Sequence, residues 1–349
     1  MNICIFGESH APEIGVEIEG VPKGTVIDED ELQAFLGRRA PGNGQGGMST
    51  PRKEPDRVVF ESGVARSVTS GEDAPRIAPA SQLAALGGYA SPLWVATGEM
   101  IRAVIRNTNT RPQDYANVQT VPRPGHADYV SWLKDGKIPT GGGRWSGRMT
   151  APLCIAGGIA LQMLKRKGVT IASTVMRGRG DTEIPVGDSV GGIVEVVASG
   201  FPAGYGDVGT EGLESKLAAA FFGIPAVKGV EFGDGFKLAD MLGSEANDAF
   251  VLASPDSRLP SRVSRPQVAL RTNHCGGILG GVSVGIPIVA RLAFKPTPSI
   301  EIEQDSVDLA TMTPAKITVR GRHDRCVAFR GAVAAEAAMA IVLATELFG

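Results

Sequence analysis

The sequence predicts an α+β fold built from one globular chain. β-like and helical patterns alternate along its 349 residues, but without the regular βαβ rhythm of a parallel sheet. No Walker A loop is present and no GxGxxG motif follows a strand, so neither a P-loop nor a Rossmann domain is supported. A hydrophobic content of 43% is ample for a core, and a chain of this length has room for one large domain or two.

The first half of the chain gives one well-marked helix and four short strand patterns. Asp28 can cap a helix over residues 29–36, whose apolar residues share one face. Residues 41–56 are too rich in glycine and proline for regular structure. The passage from 67 to 94 contains only a short helical pattern, at 80–86. The predicted strands are residues 2–6, 16–18, 58–60 and 101–105.

A second well-marked helix is predicted after residue 150. Thr150 can serve as its N-cap, Pro152 fits its first turn, and Gly168 follows its last turn. The remaining predicted helices are residues 213–222 and 333–347, and the remaining predicted strands are residues 169–176, 192–198, 227–232, 282–294 and 317–320.

The charge and cysteine content exclude several classes of protein. A formal net charge of −2 and a pI of about 6.2 predict neither nucleic-acid nor membrane binding through bulk charge. No signal peptide is recognised at the N-terminus, and no run reaches 18 uninterrupted apolar residues, so neither export nor a membrane span is expected. The cysteines are too far apart for a zinc site or a disulfide framework, which predicts a reduced, cytoplasmic setting: Cys4, Cys154, Cys275 and Cys326.

A stretch from residue 122 to residue 148 concentrates groups that handle charge. Two prolines and Gly125 hold His126 in irregular structure near Asp128, so a carboxylate can lie beside its imidazole. Gly141–Gly143 expose backbone N–H groups, and the N-terminus of the helix after residue 150 would face the same anion. The sequence therefore predicts an anion site with a titratable neighbour.

The four histidines all lie in loops rich in glycine or arginine, and none lies on an apolar face. They form no HxH or HxxxH pair, and the cysteines are not grouped with them, so no metal site is predicted. Histidine beside aspartate and arginine more often transfers protons next to a bound anion. We therefore expect an enzyme that acts on a phosphorylated or carboxylated small molecule; the histidines are His10, His126, His274 and His323.

Nine motifs stand in series along the chain: GESH (7–10), RR…PG (38–42), TPRKEPD (50–56), SGV (62–64), RPGHADY (123–129), GGGRxSxR (141–148), RTNxxGGIxGG (271–281), KPTxSI (295–300) and GRHDxC (321–326). RPGHADY and GRHDxC are the most specific of them. In order and spacing, almost from end to end, the series resembles the chorismate synthase family. The resemblance implies a single-domain β-α-β sandwich, a homotetramer, reduced FMN as cofactor, and elimination of phosphate from 5-enolpyruvylshikimate 3-phosphate to give chorismate.

The resemblance also implies roles for individual residues. His10 would be the acid that meets the departing phosphate, His126 would protonate or hydrogen-bond the reduced flavin, and Asp324 would assist at flavin N5. The substrate's phosphate and carboxylates would be held by Arg39, Arg123 and Arg148. The flavin contacts would be Arg144, Trp145, Ser146, Ala226, Gly280, Lys295, Pro296, Thr297, Pro298, Ser299 and Arg322.

Two departures from the family pattern mark a divergent member. An insertion is expected at about residues 65–95, after SGV. Gln45 replaces an arginine expected at the phosphate site, and either Arg52 or Lys53 would have to compensate.

Two other functions stay open on the sequence. One is a flavin oxidoreductase with net electron flow, and the other is a paralogue that binds flavin and anions without catalysis. The stoichiometry of reductant per turnover separates the lyase from the oxidoreductase. The sequence also leaves open whether the protein reduces its own FMN with NAD(P)H.

Overall fold

The computed structural model describes residues 1–40, 48–50, 55–67, 93–108, 118–178, 183–252 and 268–349. Within these ranges, two four-stranded antiparallel sheets enclose a layer of helices. The arrangement is a β-α-β sandwich, and it confirms the predicted α+β class.

The elements are numbered in chain order. The helices are α1 (Glu29–Arg39), α2 (Asp128–Asp135), α3 (Thr150–Lys165), α4 (Leu213–Phe222), α5 (Gly243–Ala246) and α6 (Ala328–Phe348). The strands are β1 (Asn2–Gly7), β2 (Glu13–Glu19), β3 (Val26–Asp28), β4 (Val58–Ser62), β5 (Val64–Ser67), β6 (Leu93–Ala96), β7 (Ile101–Arg106), β8 (Thr170–Arg177), β9 (Gly192–Ser199), β10 (Val227–Phe232), β11 (Phe250–Leu252), β12 (Val268–Leu270), β13 (Ile278–Leu279), β14 (Val282–Ser283), β15 (Ile288–Phe294), β16 (Gln304–Asp308) and β17 (Thr313–Ile317).

The two large sheets bury alternate residues against the helical layer. The first has the order β1-β2-β7-β4 and contacts α3, and the second has the order β10-β15-β9-β8 and contacts α6. Ile14, Val16 and Ile18 of β2 are fully buried, as are Val194, Val196 and Ala198 of β9. This period of two places one face of each sheet in a shared core, as expected for antiparallel sheets with one covered face.

Helices α3 and α6 form the centre of the sandwich and pack directly on each other. Small residues permit the close approach, because a Cβ at Gly157 of α3 would overlap the Cβ and Cα of Ala337 in α6. Among the described residues, α6 is the one helix whose length and hydropathy would suit a membrane span, but 72% of its most apolar window is buried inside the protein. It is therefore the core helix of this fold.

Helix α1 runs along the other two helices and ends at the site described below. Its N-cap is Asp28, as predicted, and Asp28 Oδ1 accepts a hydrogen bond from Glu31 N at 2.9 Å. The helix continues to Arg39, three residues beyond the predicted end. Gln162 of α3 fixes its start, because the amide exchanges two hydrogen bonds with the backbone of Asp28, at 2.8 and 2.9 Å.

Several predicted elements were wrong or missed. The predicted strand 282–294 is broken into β14 and β15 by a turn that contains Gly285 at φ +82°. The predicted strand 317–320 is wrong, because β17 ends at Ile317. Thr150 is the first residue of α3 rather than its N-cap, and the preceding single turn, 147–149, is capped by Ser146. Helix α2 was missed because its eight residues follow directly on the proline- and glycine-rich loop.

The probable insertion at about 65–95 stays a prediction. Its ends belong to β5 and β6, which pair with each other, from Val64↔Ala96 to Ser67↔Leu93. The predicted helical pattern at 80–86 lies outside the described residues.

Substitutions at two neighbouring glycines test the packing of the helical layer. Gly157→Ala should lower the free energy of unfolding by roughly 1–3 kcal/mol, and with it the melting temperature, because the new Cβ meets the backbone of α6. Gly158→Ala is the matched control, because its Cβ would lie 2.5 Å from the movable Leu32 Cδ1 and it gains the same helix propensity. Thermal unfolding followed by circular dichroism measures both. Equal or greater destabilisation by Gly158→Ala would contradict this packing.

Candidate active site

A cleft of about 490 Å³ brings together most of the residues singled out from the sequence. It lies where the loops before α2, α3 and α6 meet the start of β10 and the end of β15. Residues far apart in sequence line one wall, since Lys295 N donates a hydrogen bond to Ala226 O at 3.0 Å. The predicted site residues that line the cleft are His126, Asp324, Arg123, Arg148, Arg144, Trp145, Ser146, Ala226, Lys295, Thr297, Pro298, Ser299 and Arg322.

Four predicted site residues do not line this cleft. His10 lies behind the cleft wall, with its ring against Gly141, and Arg39 is fully buried behind Asp56. Pro296 is exposed between two lining residues, and Gly280 lies in the turn that joins β13 to β14. Their substrate and flavin roles stay predictions.

His126 lies in a buried network with Asp128 and Arg123, as its sequence neighbourhood predicted in part. Its Nδ1 lies 2.6 Å from Asp128 Oδ1. The same carboxylate accepts hydrogen bonds from Arg123 Nε at 2.7 Å and Arg123 Nη2 at 2.8 Å. Ser299 Oγ accepts from Arg123 Nη1 at 2.9 Å, which ties this network to the opposite wall of the cleft. Asp128 thus fixes both the imidazole and the guanidinium.

The surroundings lower the pKa values of both His126 and Asp128, but for different reasons. Burial lowers the pKa of His126, the positive charges of Arg123 and Lys295 lower it further, and Asp128 only partly opposes them. Burial alone would raise the pKa of Asp128, but the hydrogen bonds and charges of Arg123 and His126 outweigh it and hold that pKa below its usual range. At neutral pH, therefore, His126 is a neutral imidazole beside a carboxylate.

The glycine run 141–143 lies against the two imidazoles, and its predicted contact with an anion stays a prediction. A Cβ at Gly141 would overlap the His10 ring, and a Cβ at Gly142 would lie 2.8 Å from His126 Cε1. Both glycines have positive φ, +64° and +84°, a conformation that favours residues without a Cβ. The backbone also binds the loop before His10, because Gly141 O accepts a hydrogen bond from Ser9 Oγ at 3.1 Å. The two histidines therefore sit on successive residues of one turn.

Arg148 is held at the edge of the cleft by two acceptors. Its Nη1 pairs with Asp56 Oδ1, and Asn107 Oδ1 accepts from Nε at 3.3 Å and from Nη2 at 3.2 Å. On the far side of Asp56, Oδ2 pairs with Arg39 Nη1, and Thr150 Oγ1 accepts from Arg39 Nε at 3.0 Å. Burial lowers the pKa of Arg39 to about 10; Arg330 and Arg148 add to this, and Asp56 opposes it.

Asp324 is fixed from two directions. Its Oδ1 accepts from Thr50 N at 2.8 Å, and its Oδ2 pairs with Arg330 Nη1 at 3.0 Å. Arg330 lines the cleft and also donates through Nε to Arg39 O at 3.3 Å, so it links α6 to the end of α1. Arg330 was missed because it lies between the GRHDxC motif (321–326) and the predicted helix 333–347, whereas α6 in fact begins at Ala328.

Three helices begin close to the cleft. Ala127 and Val327, which precede α2 and α6, line it, as does Arg148, two residues before α3. A helix N-terminus carries a partial positive charge, so their convergence favours a bound anion. The anion-facing role of the helix after residue 150 stays a prediction.

The open side of the cleft is basic and aromatic. Arg144 stacks over the Trp145 ring at 4.4 Å from its centroid and pairs with Asp135 at 3.1 Å. Lys228 and Lys295 lie on the same cleft lining, and the positive charge of Lys228 helps burial to lower the pKa of Lys295. Lys228 was missed because it lies inside a strand pattern with no motif around it.

Some expectations cannot be placed. Gln45, Arg52 and Lys53 lie outside the described residues. Within the described ranges, no group of three His, Cys, Asp or Glu side chains has the geometry for a metal ion.

A titration of His126 tests this electrostatic description. The pKa of its imidazole should lie below the ordinary value near 6.5, and Asp128→Asn should lower it further, because that variant removes the one neighbour that raises it. Histidine Cε1–H NMR signals followed against pH, and assigned with His126→Gln, give the value. A pKa above the ordinary value in the unmodified protein would contradict the account.

Comparison with known proteins gives a consistent result over the whole chain. A family model described as chorismate synthase matches residues 1–77, 80–183 and 181–348. The chorismate synthase of Lancefieldella parvula is 39% identical over an alignment 399 residues long, gaps included, which covers 100% of this chain and 94% of that protein. The chorismate synthase of Thermococcus gammatolerans is 37% identical and covers 99% of this chain and 96% of that protein.

A solved structure supports the fold independently. The crystal structure of a chorismate synthase aligns with a TM-score of 0.65 and covers 99% of this chain and 91% of that chain. At 21% sequence identity, this likeness shows the fold alone. The family model and the sequence relatives show more than the fold. Together with the motif series, they establish that the chain belongs to the chorismate synthase family.

Proposed function

We propose that this chain is a lyase that eliminates phosphate from 5-enolpyruvylshikimate 3-phosphate to give chorismate. The observation that carries the proposal is the cleft: His126, several arginines and the starts of three helices border one space, and His10 packs behind its wall on the same glycine turn as His126. Such an arrangement can bind a substrate with one phosphate and two carboxylates and can move protons beside it. Family membership supplies the reaction.

The lining of the cleft fits reduced FMN as the cofactor. Arg322 and Lys295 offer positive charge for a phosphate group, and Trp145 offers an aromatic surface. Thr297 Oγ1 is buried and has no hydrogen-bond partner among the described residues, so a ligand can satisfy it. In this cleft, the chemistry supplied by reduced FMN would be the transient loan of an electron, so the elimination would have no net redox change.

The histidines would handle the protons of the reaction. We assign the Nδ1–H of His126 to its contact with Asp128, so that Nε2, which also lies 3.3 Å from Arg123 Nη2, would accept or deliver a proton beside the flavin site. His10 would give a proton to the departing phosphate, and the hydroxyl of Ser9, 3.1 Å from its Nδ1, fixes the ring. Asp324 keeps its carboxylate in place through Thr50 and Arg330 and would assist at the flavin N5.

The arginines would orient the substrate. Arg123 and Arg148 line the cleft and are each held by a buried carboxylate, so little side-chain entropy is lost when they bind an anion. Arg39 pairs with Asp56 behind Arg148, and we propose that it supports the anion site from there. Between them, these groups hold the bond that breaks close to the proton donors.

We also propose that the protein is a cytoplasmic homotetramer. The four thiols are free, which fits a reducing compartment. Four large apolar side chains between residues 236 and 252 lie in solvent, each at least 69% exposed: Phe236, Leu242, Phe250 and Leu252. Apolar area of this kind is commonly covered by another subunit.

An anaerobic assay tests the proposed reaction. With photoreduced FMN, the purified protein should release chorismate and phosphate in equal amounts and consume no reductant per turnover. Chorismate absorbance, phosphate release and flavin oxidation are followed in one reaction. Turnover with oxidised FMN alone would indicate a flavin-independent lyase, stoichiometric flavin oxidation an oxidoreductase, and absence of product a binding protein.

Alanine variants test the proton-transfer roles. His10→Ala and His126→Ala should each lower turnover by about 10²-fold or more, because positioned acid–base groups typically contribute ~10²–10⁴-fold. Circular dichroism checks the fold. His323→Ala is the control: His323 also lines the cleft but has no proposed proton-transfer role. Near-normal turnover of either predicted variant would remove that histidine from the mechanism.

A further inference from the structure

Asp56 combines three features that seldom occur in one aspartate. Its φ is +45°, in the left-handed region that costs energy for residues with a Cβ, although aspartate adopts it more often than most. It is only 1% exposed. Its two carboxylate oxygens pair with different arginines, Oδ1 with Arg148 and Oδ2 with Arg39. Strained backbone persists where surrounding contacts require it and is common at functional sites, so we infer that the position of this carboxylate matters for function.

The backbone around Asp56 is clamped from helix α1. The side-chain amide of Gln33 donates through Nε2 to Asp56 O at 3.2 Å and to Pro55 O at 3.1 Å, and its Oε1 accepts from Val58 N at 3.3 Å. One side chain thus fixes the residues on both sides of Asp56. The backbone that carries the Asp56 carboxylate is therefore held in one position.

Arg39 is locked on the buried side of Asp56, whereas Arg148 faces the cleft. Arg39 is fully buried and its Nε is taken by Thr150 Oγ1, so it forms a fixed backing for the carboxylate. Arg148 lines the cleft. Any shift of Asp56 would therefore be transmitted to the arginine that can meet a ligand.

We propose that Asp56 is a positioning residue for the elimination reaction: it acts through Arg148, holding that guanidinium in the orientation that receives the substrate's anionic groups. This rests on the proposed function for the identity of the substrate. Asn107 supports the other edge of the same guanidinium, so Arg148 is fixed from two sides. A bidentate anion contact needs such a fixed plane.

If Asp56 acted only through its charge, its removal would strengthen substrate binding, whereas a positioning role predicts that binding weakens. Removal of its carboxylate makes the cleft more positive, which by charge alone would tighten the binding of a substrate with three anionic groups. Loss of orientation would weaken it instead. Asp56→Asn distinguishes the two, because asparagine keeps the size and tolerates positive φ, yet its NH₂ group cannot accept from the second arginine.

The test is calorimetric binding of 5-enolpyruvylshikimate 3-phosphate to a double-mutant cycle. Asp56→Asn should weaken binding at least about tenfold, and the variant that combines it with Arg148→Ala should bind no more weakly than Arg148→Ala alone. Asp305→Asn removes an equal charge at an exposed site paired with Lys316, and should bind as the unmodified protein does. Unchanged or tighter binding by Asp56→Asn, or full additivity with Arg148→Ala, would overturn the proposal.

A ligand-free measurement separates this proposal from the proposed function. The arginine ¹⁵Nε–H NMR signal of Arg148, assigned with Arg148→Ala, should be well dispersed in the unmodified protein and should move to the solvent-exposed position in Asp56→Asn. An unmoved signal would overturn the positioning role even if the unmodified protein proved not to bind the substrate. If Asp56→Asn does not fold, Asp56→Glu replaces it in both measurements: it keeps the charge but displaces the carboxylate, so it should weaken binding, and unchanged binding would overturn the proposal.

Discussion

The close packing of α3 against α6 is the constraint on which the rest of the structure depends. Gly157 lets the helices approach until it meets Ala337, and each helix then covers one of the two sheets. Both helices begin at the cleft, so they run in the same direction and their dipoles add at one end. Parallel helix dipoles repel, and a bound anion at their common N-terminal end relieves this repulsion. A fold with this centre is therefore suited to an anionic substrate before any side chain is considered.

Carboxylates then fix the orientation of the arginines at this end of the helices. Asp56, Asp128 and Asp324 each hold at least one arginine in place, and the first two are almost completely buried. A buried ion pair costs much of its Coulomb energy in desolvation, so these pairs contribute orientation more than stability. The arginines outnumber the carboxylates, because Asp56 is shared by Arg39 and Arg148. The site thus keeps excess positive charge and still holds its guanidinium groups rigidly.

The sequence predicted the large elements and most of the cleft, and it failed where the outcome depends on tertiary contacts. A cap and an apolar helix face were sufficient to predict α1, since these signals are local. The run Gly141–Gly143 was interpreted as an anion cradle, which stays a prediction, but its packing against two histidines from distant segments was not foreseen. The pairing of Arg39 with Asp56 was equally invisible, because nothing local joins residue 39 to residues 56 and 148. Lys228 and Arg330 lie in regular elements, where no motif distinguishes a site residue from a surface one.

The central claim is that the common N-terminal end of α3 and α6 receives the substrate's anionic groups beside His126 and His10. A crystal structure of the protein with oxidised FMN and 5-enolpyruvylshikimate 3-phosphate tests this most directly, because the oxidised flavin holds the complex before reaction. The account predicts both ligands in the cleft, with an anionic group of the substrate within hydrogen-bond distance of Arg148 and no displacement of Asp56. Substrate bound elsewhere, or bound in the cleft without contact to either Arg148 or Arg123, would contradict it.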